Sequence, residues 1–330
     1  MHIAIIGAGM AGLSCARQLQ LQGHHVSVYE RAGESGGRMA TRHTELGGFD
    51  HGAQYFTADS DRFKKAIAAW ERAGWVSPWT GRLVTIENAA PKQAGRSKQR
   101  FVGVPGMADL AMQLAQGIEV RIEQLITRIE PHDGRWLLAV QSDTVPIEAS
   151  AGPFDAVVIA ATPNNAVPLL QCAPQFIRPA KQASLEPCWA LMLGFQESLV
   201  LGYDGAWVQS SRLAWIARDA SKPQRRPGEH WVCHASARWS IEHLTDDPER
   251  VKEKLLKAFH EATGSRMQPL YAEAYRWRHA QVIDPLPAAY LWDPKLRIGV
   301  CGDWFSAGLE GGGRVENAYL SGLALAEAIS

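Results

Sequence analysis

The sequence predicts an α/β protein: a doubly wound, largely parallel sheet joined to a second α+β domain on a mixed or antiparallel sheet. Three observations carry this. An apolar run, His2 to Ile6, leads into Gly7-Ala8-Gly9-Met10-Ala11-Gly12, a helical pattern and a second strand, all within about 30 residues. A buried-type strand, Phe154 to Ala160, has the composition of the same sheet. A last strand, Leu296 to Cys301, precedes a terminal helix, so both chain ends contribute to one nucleotide-binding domain.

In chain order, Met10, Leu13, Ala16 and Leu19 recur at helical spacing until Gly23 stops them. His25 to Glu30 reads as the second strand, and Asp61 to Ala73 as a surface helix. Pro91 to Arg100 reads as a loop. Leu125 to Ile129 and Trp136 to Val140 read as a strand pair turned at Asp133-Gly134. Leu213 to Ala217, His230 to Ser236 and Tyr271 to Ala280 are strand-like, with one helix after Pro248. Val315, Ala318, Tyr319, Gly322, Leu325, Ala326 and Ile329 mark one side of the final helix. The expected division is 1–74, 100–165 and 290–330 for the nucleotide domain, with 75–99 and 166–289 forming the substrate domain.

Composition bounds the function. Lys plus Arg and Asp plus Glu each number 34, so no net charge draws the chain to nucleic acid or an anionic membrane. Five cysteines without a CxxC pair argue for a reducing compartment, and the expected location is the cytoplasm. The uncharged stretch Ala156 to Ile177 is broken by Pro163, Asn164, Asn165, Pro168 and Pro174, unlike a membrane helix. No HxxxH, CxxC or carboxylate cluster suggests a metal, and no GxSxG suggests an acyl-transfer nucleophile.

The glycine run has a mechanism. Gly7 permits the tight turn, Gly9 lets a pyrophosphate approach the backbone, and Gly12 lets helix and strand pack closely. Glu30 ends the next strand, 18 residues past Gly12, where a carboxylate accepts the ribose hydroxyls.

Four further motifs follow in order: Ser35-Gly36-Gly37-Arg38-Met39, Asp50-x-Gly52-Ala53-Gln54-Tyr55-Phe56, Cys301-Gly302-Asp303-Trp304 and Gly313-Arg314-Val315-Glu316-Asn317-Ala318. Together they resemble the flavoprotein amine-oxidase superfamily, with its glutathione-reductase type of FAD domain. The resemblance implies non-covalent FAD, with Gly7, Gly9, Met10, Ala11, Gly12, Glu30 and Arg31 at its nucleotide half. It implies further contacts from Gly37, Arg38, Met39 and Ile126, from Gly302 and Asp303 at the ribityl-phosphate region, and from Gly313 and Val315 at the terminal helix. That helix start, opened by glycines, is suited to stabilise the negative charge of reduced flavin. Gln54 and Tyr55 are implied beside the isoalloxazine. Cys301, at a strand end, is the ordinary small apolar occupant rather than an attachment point.

Within that superfamily the chain is most similar to the renalases, through Asp50–Phe56, Gly103–Met107, Trp231–His234 and Arg276–Val282. It departs from their bacterial members by a longer loop, Leu309 to Gly313. The likeness implies oxidation of misreduced nicotinamides, 2-dihydro-NAD(P) and also 6-dihydro-NAD(P). Hydride goes to flavin N5, O2 is reduced to H2O2 and NAD(P)+ is released. A dihydropyridine regains aromaticity on losing hydride, so the protein must supply position, charge and dryness rather than a strong base. This suits a middle domain rich in tryptophan and arginine and poor in buried acid–base pairs.

Alternation places Trp231, Cys233 and Ala235 on one strand face and His234 with Val232 on the other, which the resemblance turns toward the flavin. The expected substrate-side residues are His234, Trp277, His279, Gln54, Tyr55 and Trp215, with Arg218 as a further candidate. Trp277 and Arg278 lie on opposite faces, and Arg278 is assigned to packing or a salt bridge. The basic loop with Lys92, Arg96, Lys98 and Arg100 reads as a solvated loop or as an attractor of dinucleotide phosphates. Two alternatives stay open. One is an amine oxidase or desaturating oxidase, for which no flavin-facing lysine is identifiable, and the other is a flavin-binding protein without turnover.

Overall fold

The sheet that carries the glycine turn is built from strands buried on both faces, which is why their sequences run apolar rather than alternating. In the computed structural model, which describes residues 1–329 apart from 94, 96, 97, 143 and 144, His2–Ile6 lies between His25–Tyr29 and Ala156–Ile159, parallel to both. Ile298–Val300 continues the parallel order, Leu291–Asp293 closes one edge antiparallel, and Glu119–Arg121 forms the other edge. The expected strand Phe154 to Ala160 divides at Asp155. Its carboxylate accepts the His2 N–H at 2.7 Å and its own N–H donates to the His2 carbonyl at 2.8 Å, which ends one strand and starts the next.

One face of this sheet is covered by helices Met10–Leu21, Asp61–Arg72, Met107–Ala115 and Val315–Ile329. The first and last approach closely because their contact is made of small residues. A Cβ on Gly322 would stand 2.2 Å from the Ala11 carbonyl oxygen. Asp61–Arg72, expected on the surface, buries Phe63, Ile67 and Trp70 and is capped by Ser60 Oγ, which accepts the Phe63 N–H. The other face packs on short helices between 163 and 182 and on a three-stranded sheet. The expected strand pair is Leu125–His132 and Arg135–Ser142, and Val145–Phe154 adds a third strand.

The second sheet has seven strands: Tyr271–Asp284, Ser184–Phe195, Glu229–Ala235, Leu213–Arg218, Gly205–Val208, Leu83–Glu87 and Ala90–Gln93. It is antiparallel except where Gly205–Val208 runs parallel to Leu83–Glu87. The sheet is therefore mixed, one of the two forms that the sequence leaves open. Part of the expected loop from Pro91 is the edge strand Ala90–Gln93, while Arg96 lies outside the described residues. One face, with Trp189, Leu191, Ile216, Trp231 and Cys233, packs on helix Pro248–Thr263 through Val251, Leu255, Ala258 and Phe259. The opposite face turns to the first sheet: Val232 and Met192 meet Phe49, and Trp215 joins the core of the nucleotide-binding half.

Among the described residues, no helix is long and apolar enough to cross a membrane.

Candidate functional site

At the glycine turn, Gly7 has φ of +109°, a region that favours glycine. A Cβ on Gly12 would stand 2.0 Å from the Gly7 carbonyl oxygen, whereas one on Gly9 would meet nothing within 4 Å. Gly12 is thus required by packing, and Gly9 borders open space at the start of helix Met10–Leu21, which no side chain caps. Glu30 is buried, its Oε2 accepting the Ala8 N–H at 2.8 Å and its Oε1 the Ala32 N–H at 2.9 Å. The next loop folds against the turn, with Gly36 N–H donating to the Ala8 carbonyl at 2.9 Å. An uncapped helix N-terminus, an open backbone at Gly9 and a fixed carboxylate fit the pyrophosphate and ribose of a dinucleotide.

The remaining expected cofactor residues gather from both chain ends. Arg38 donates bidentately to Asp303, at 2.7 and 2.6 Å, and to the Ala280 carbonyl at 3.2 Å. Gly302 N–H donates to Ser321 Oγ at 3.0 Å, and Gly313 N–H donates to the Asp303 carbonyl at 2.9 Å. Val315 begins the terminal helix and packs on its core. Gly37 lies against Gly9: a Cβ there would stand 3.7 Å from the Gly9 Cα. Arg31 is exposed, the Met39 side chain lies in the core of the helical layer, and Ile126 is buried beside Tyr29 on the other side of the sheet. Cys301 is buried, hydrogen-bonded with the Cys15 thiol.

Of the expected substrate-side residues, Trp215, His234 and Trp277 share the inward face of the seven-stranded sheet. Trp207, Trp215, His234, Ala190 and Tyr275 are cross-strand neighbours in one row, and Trp277 follows two residues past Tyr275. Loop 50–56 of the nucleotide half packs on this row. The His51 carbonyl accepts Trp277 Nε1–H at 3.0 Å and lies 3.1 Å from His234 Nε2. A carbonyl only accepts, so His234 carries its proton on Nε2 and Nδ1 is the ring's acceptor. The His51 ring stacks on Trp277 at 5.1 Å and meets Tyr275 edge-on at 4.7 Å. Gln54 is held at both ends: its amide N–H groups donate to the Asp50 and Gly52 carbonyls, and its oxygen accepts Trp215 Nε1–H at 3.4 Å. Tyr55 lies 5.7 Å from Trp215 and 6.1 Å from Trp79, with the Arg100 guanidinium 5.7 Å over its ring.

Burial lowers His234 and His51 to about 4, so both are neutral imidazoles near pH 7. His279 is lowered by burial and by Arg31, Arg38 and Arg278. Arg278 is exposed. Arg218 turns to the opposite face and pairs with Glu229 at 2.9 Å, so it leaves the candidate site.

One expectation is overturned. The region is not poor in buried acid–base pairs. Asp50, Asp219, Lys222 and Arg225 form a buried ionic cluster, with Lys222 Nζ 3.1 Å from Asp50 and 2.5 Å from Asp219. Arg225 reaches Asp50 at 2.5 Å, while Asp50 Oδ1 also accepts Thr41 Oγ1–H and the Met107 N–H. Burial would raise the Asp50 carboxyl, but Lys222 and Arg225 hold it well below the carboxylate range. In sequence, Lys222-Pro223-Gln224-Arg225-Arg226-Pro227 has the look of a solvated turn, and no periodicity marks its charges as internal.

Two family models match the chain: an NAD(P)-binding Rossmann-like domain over residues 5–71 and a flavin containing amine oxidoreductase over residues 80–330. The chain belongs to the flavin-containing amine oxidoreductase family. Its cofactor is accordingly FAD, held by the Rossmann-like domain.

Curated relatives match over short stretches. An L-amino-acid oxidase of Siganus canaliculatus is 42% identical over 65 residues, which is 19% of this chain and 12% of that protein. A 15-cis-phytoene desaturase of Synechococcus elongatus is 51% identical over 47 residues, 14% of this chain and 10% of that one. The chain thus spans only a small part of those relatives' lengths. Solved structures match throughout. A putrescine oxidase bound to putrescine superposes with a TM-score of 0.73 at 14% identity, covering 100% of this chain and 99% of that one. A cyclohexylamine oxidase from Brevibacterium oxydans gives 0.73 at 15%, covering 99% and 98%. At that identity the likeness concerns the fold.

Proposed function

We propose that this flavoprotein is a renalase-like oxidase of dihydronicotinamides, 2-dihydro-NAD(P) and its 6-dihydro isomer. The supporting observation is the chemistry of the aromatic sheet face. It offers flat rings and two neutral histidines, while each buried carboxylate of the described residues is already partnered. Glu30 holds backbone N–H groups, Asp50 and Asp219 hold Lys222 and Arg225, Glu229 holds Arg218, Asp303 holds Arg38, and Glu316 holds Ser60. An alkylammonium would find no carboxylate to receive it, whereas an uncharged dihydropyridine needs none.

Bound FAD supplies the two-electron acceptor that passes the pair to O2, so that dihydronicotinamide, O2 and a proton give the nicotinamide cation and H2O2. Trp215, Tyr55 and Trp277 provide stacking surface and exclude water. His234 Nδ1 accepts a carboxamide N–H and orients the ring. Gln54, fixed at both ends, holds the loop that faces the sheet. His279, with Arg31 and Arg38, lies on the cofactor side. The amine-oxidase alternative has in its favour the names of the fold neighbours, and must place an amine beside Arg100.

The test is anaerobic mixing of FAD-loaded protein with the isomer mixture from non-selective reduction of NAD+, and separately with a panel of amines. Bleaching by the dihydro isomers alone supports the proposal. Bleaching by amines alone makes it an amine oxidase, and no bleaching makes it a non-catalytic flavoprotein.

A further inference from the structure

The loop between Asp303 and the terminal helix is fixed at both ends by backbone. Ser306 N–H donates to the Leu286 carbonyl at 2.9 Å and Ala307 N–H to the Ala288 carbonyl at 3.0 Å, while Gly313 N–H donates to the Asp303 carbonyl. Between these anchors the chain is exposed at Gly308, Glu310 and Gly311, and φ is positive at Ala307, Gly308, Gly311 and Gly313. No repeating ladder can set so irregular a path, so side chains have to define it.

Asn317, in the first turn of the helix and fully buried, reaches both limbs of the loop. Its Nδ2 donates to the Ser306 carbonyl at 2.8 Å, to the Gly311 carbonyl at 3.2 Å and to the Phe305 carbonyl at 3.3 Å. Its Oδ1 accepts Arg314 Nε–H at 3.3 Å, and Arg314 continues outward to the Glu310 carbonyl and the Asp59 carboxylate. A carboxamide has two N–H donors, and here both are spent on the loop. Sealed from solvent, Asn317 acts through the backbone it holds rather than by touching a ligand.

That backbone, Gly313 to Val315, is the part of the chain that the sequence assigns to the flavin. The Gly313 N–H bond to Asp303 ties it to the Arg38–Asp303 pair. A helix N-terminus stabilises negative charge only within about its first turn. Small displacements of the helix start therefore change how well it receives the charge of reduced flavin.

We propose that Asn317 is a positioning residue for the cofactor: it fixes the start of the terminal helix against the flavin and so favours the reduced form over the oxidised one. This rests on the FAD cofactor and on the assignment of Gly313 and Val315 to it, and is independent of the choice of substrate.

The experiment compares wild type with Asn317→Ala and Asn317→Ser. Three quantities are read: the melting temperature of the apoprotein, the dissociation constant of FAD on titrating apoprotein, and the flavin midpoint potential of the holoprotein by equilibration with redox dyes. The potential reports the ratio of the affinities for reduced and oxidised flavin. In Asn317→Ala, binding of FAD weakens, and binding of reduced flavin weakens about three- to tenfold more, the scale of a charge at a helix terminus. The potential moves to more negative values, and Asn317→Ser, which keeps one donor, restores part of the shift. A wild-type potential in Asn317→Ala, whether FAD affinity is lost or kept, makes Asn317 structural and overturns the proposal, as does a positive shift. If Asn317→Ala gives no folded apoprotein, Asn317→Ser is read in its place, and if neither folds, Asn317 serves folding and the proposal falls. None of the three readouts involves a substrate, so the dihydronicotinamide reading stands or falls separately.

Discussion

Lys222 and Asp50 stand 172 positions apart in the chain and meet at 3.1 Å with both side chains fully buried. The pair joins the turn after strand Leu213–Arg218 to the loop that presents His51, Gln54 and Tyr55, so it fixes the distance between the two halves of the site. Lys222→Met removes one cation from a cluster of two carboxylates and two cations. Breaking a buried ionic group by removing one partner costs about 3–5 kcal/mol. The denaturation midpoint of Lys222→Met should fall accordingly, and Lys222→Met with Asp50→Asn should lose less than the two single changes summed. A single variant within about 0.5 kcal/mol of wild type would show that the cluster is not closed to water.

Gly9 and Gly12 separate cofactor binding from folding. A methyl at Gly12 collides with the Gly7 carbonyl oxygen, while one at Gly9 enters open space in the protein alone. Gly9→Ala should leave the melting temperature of the apoprotein near wild type while weakening FAD binding at least tenfold, as read from flavin retained on gel filtration. Gly12→Ala should lower apoprotein stability itself. If Gly9→Ala holds FAD as tightly as wild type, the pyrophosphate does not lie on that backbone.

What could be read in the sequence follows from locality. The turn at Gly7–Gly12, the carboxylate of Glu30 and the alternation of strand Glu229–Ala235 are encoded within a few residues; alternation separates His234 from Trp231 and Cys233, while its inward direction rests on the resemblance. Strand Ser184–Phe195 escaped because it is buried on both faces from Trp189 to its end, where period-2 alternation vanishes. Helix Met107–Ala115, at nine residues, gave too short a pattern. The Asp50–Lys222 cluster and the Arg38–Asp303 pair depend on tertiary closure over more than 150 residues, and charge spacing along the chain carries no trace of either.

Glu30 tests the nucleotide end from the carboxylate side. Glu30→Ala leaves the Ala8 and Ala32 N–H groups without their acceptor and removes the group suited to the ribose. A lost hydrogen bond to a charged group costs about 1.5–3 kcal/mol, so FAD affinity should fall about ten- to a hundredfold. Equilibrium titration of apoprotein by flavin fluorescence measures it. Unchanged affinity would place the adenosine ribose elsewhere.

His234 links stability, pH and turnover. Burial lowers its folded-state value to about 4 from 6.5, and does the same for His51. Between those values the unfolded chain binds protons that the folded chain does not, so stability falls as pH drops from about 6.5 toward 4 and is insensitive to these groups above that window. Each histidine contributes a slope approaching about 1.4 kcal/mol per pH unit. His234→Gln keeps a donor for the His51 carbonyl and removes one titrating group, so denaturation curves between pH 4.5 and 6 should lose one proton's worth of slope. Because a dihydropyridine releases hydride without needing a base, His234→Ala should lower turnover less than about a hundredfold, mostly through KM. A loss of four powers of ten would reach the upper limit of general acid–base catalysis, about 10²–10⁴-fold, and assign that role to His234.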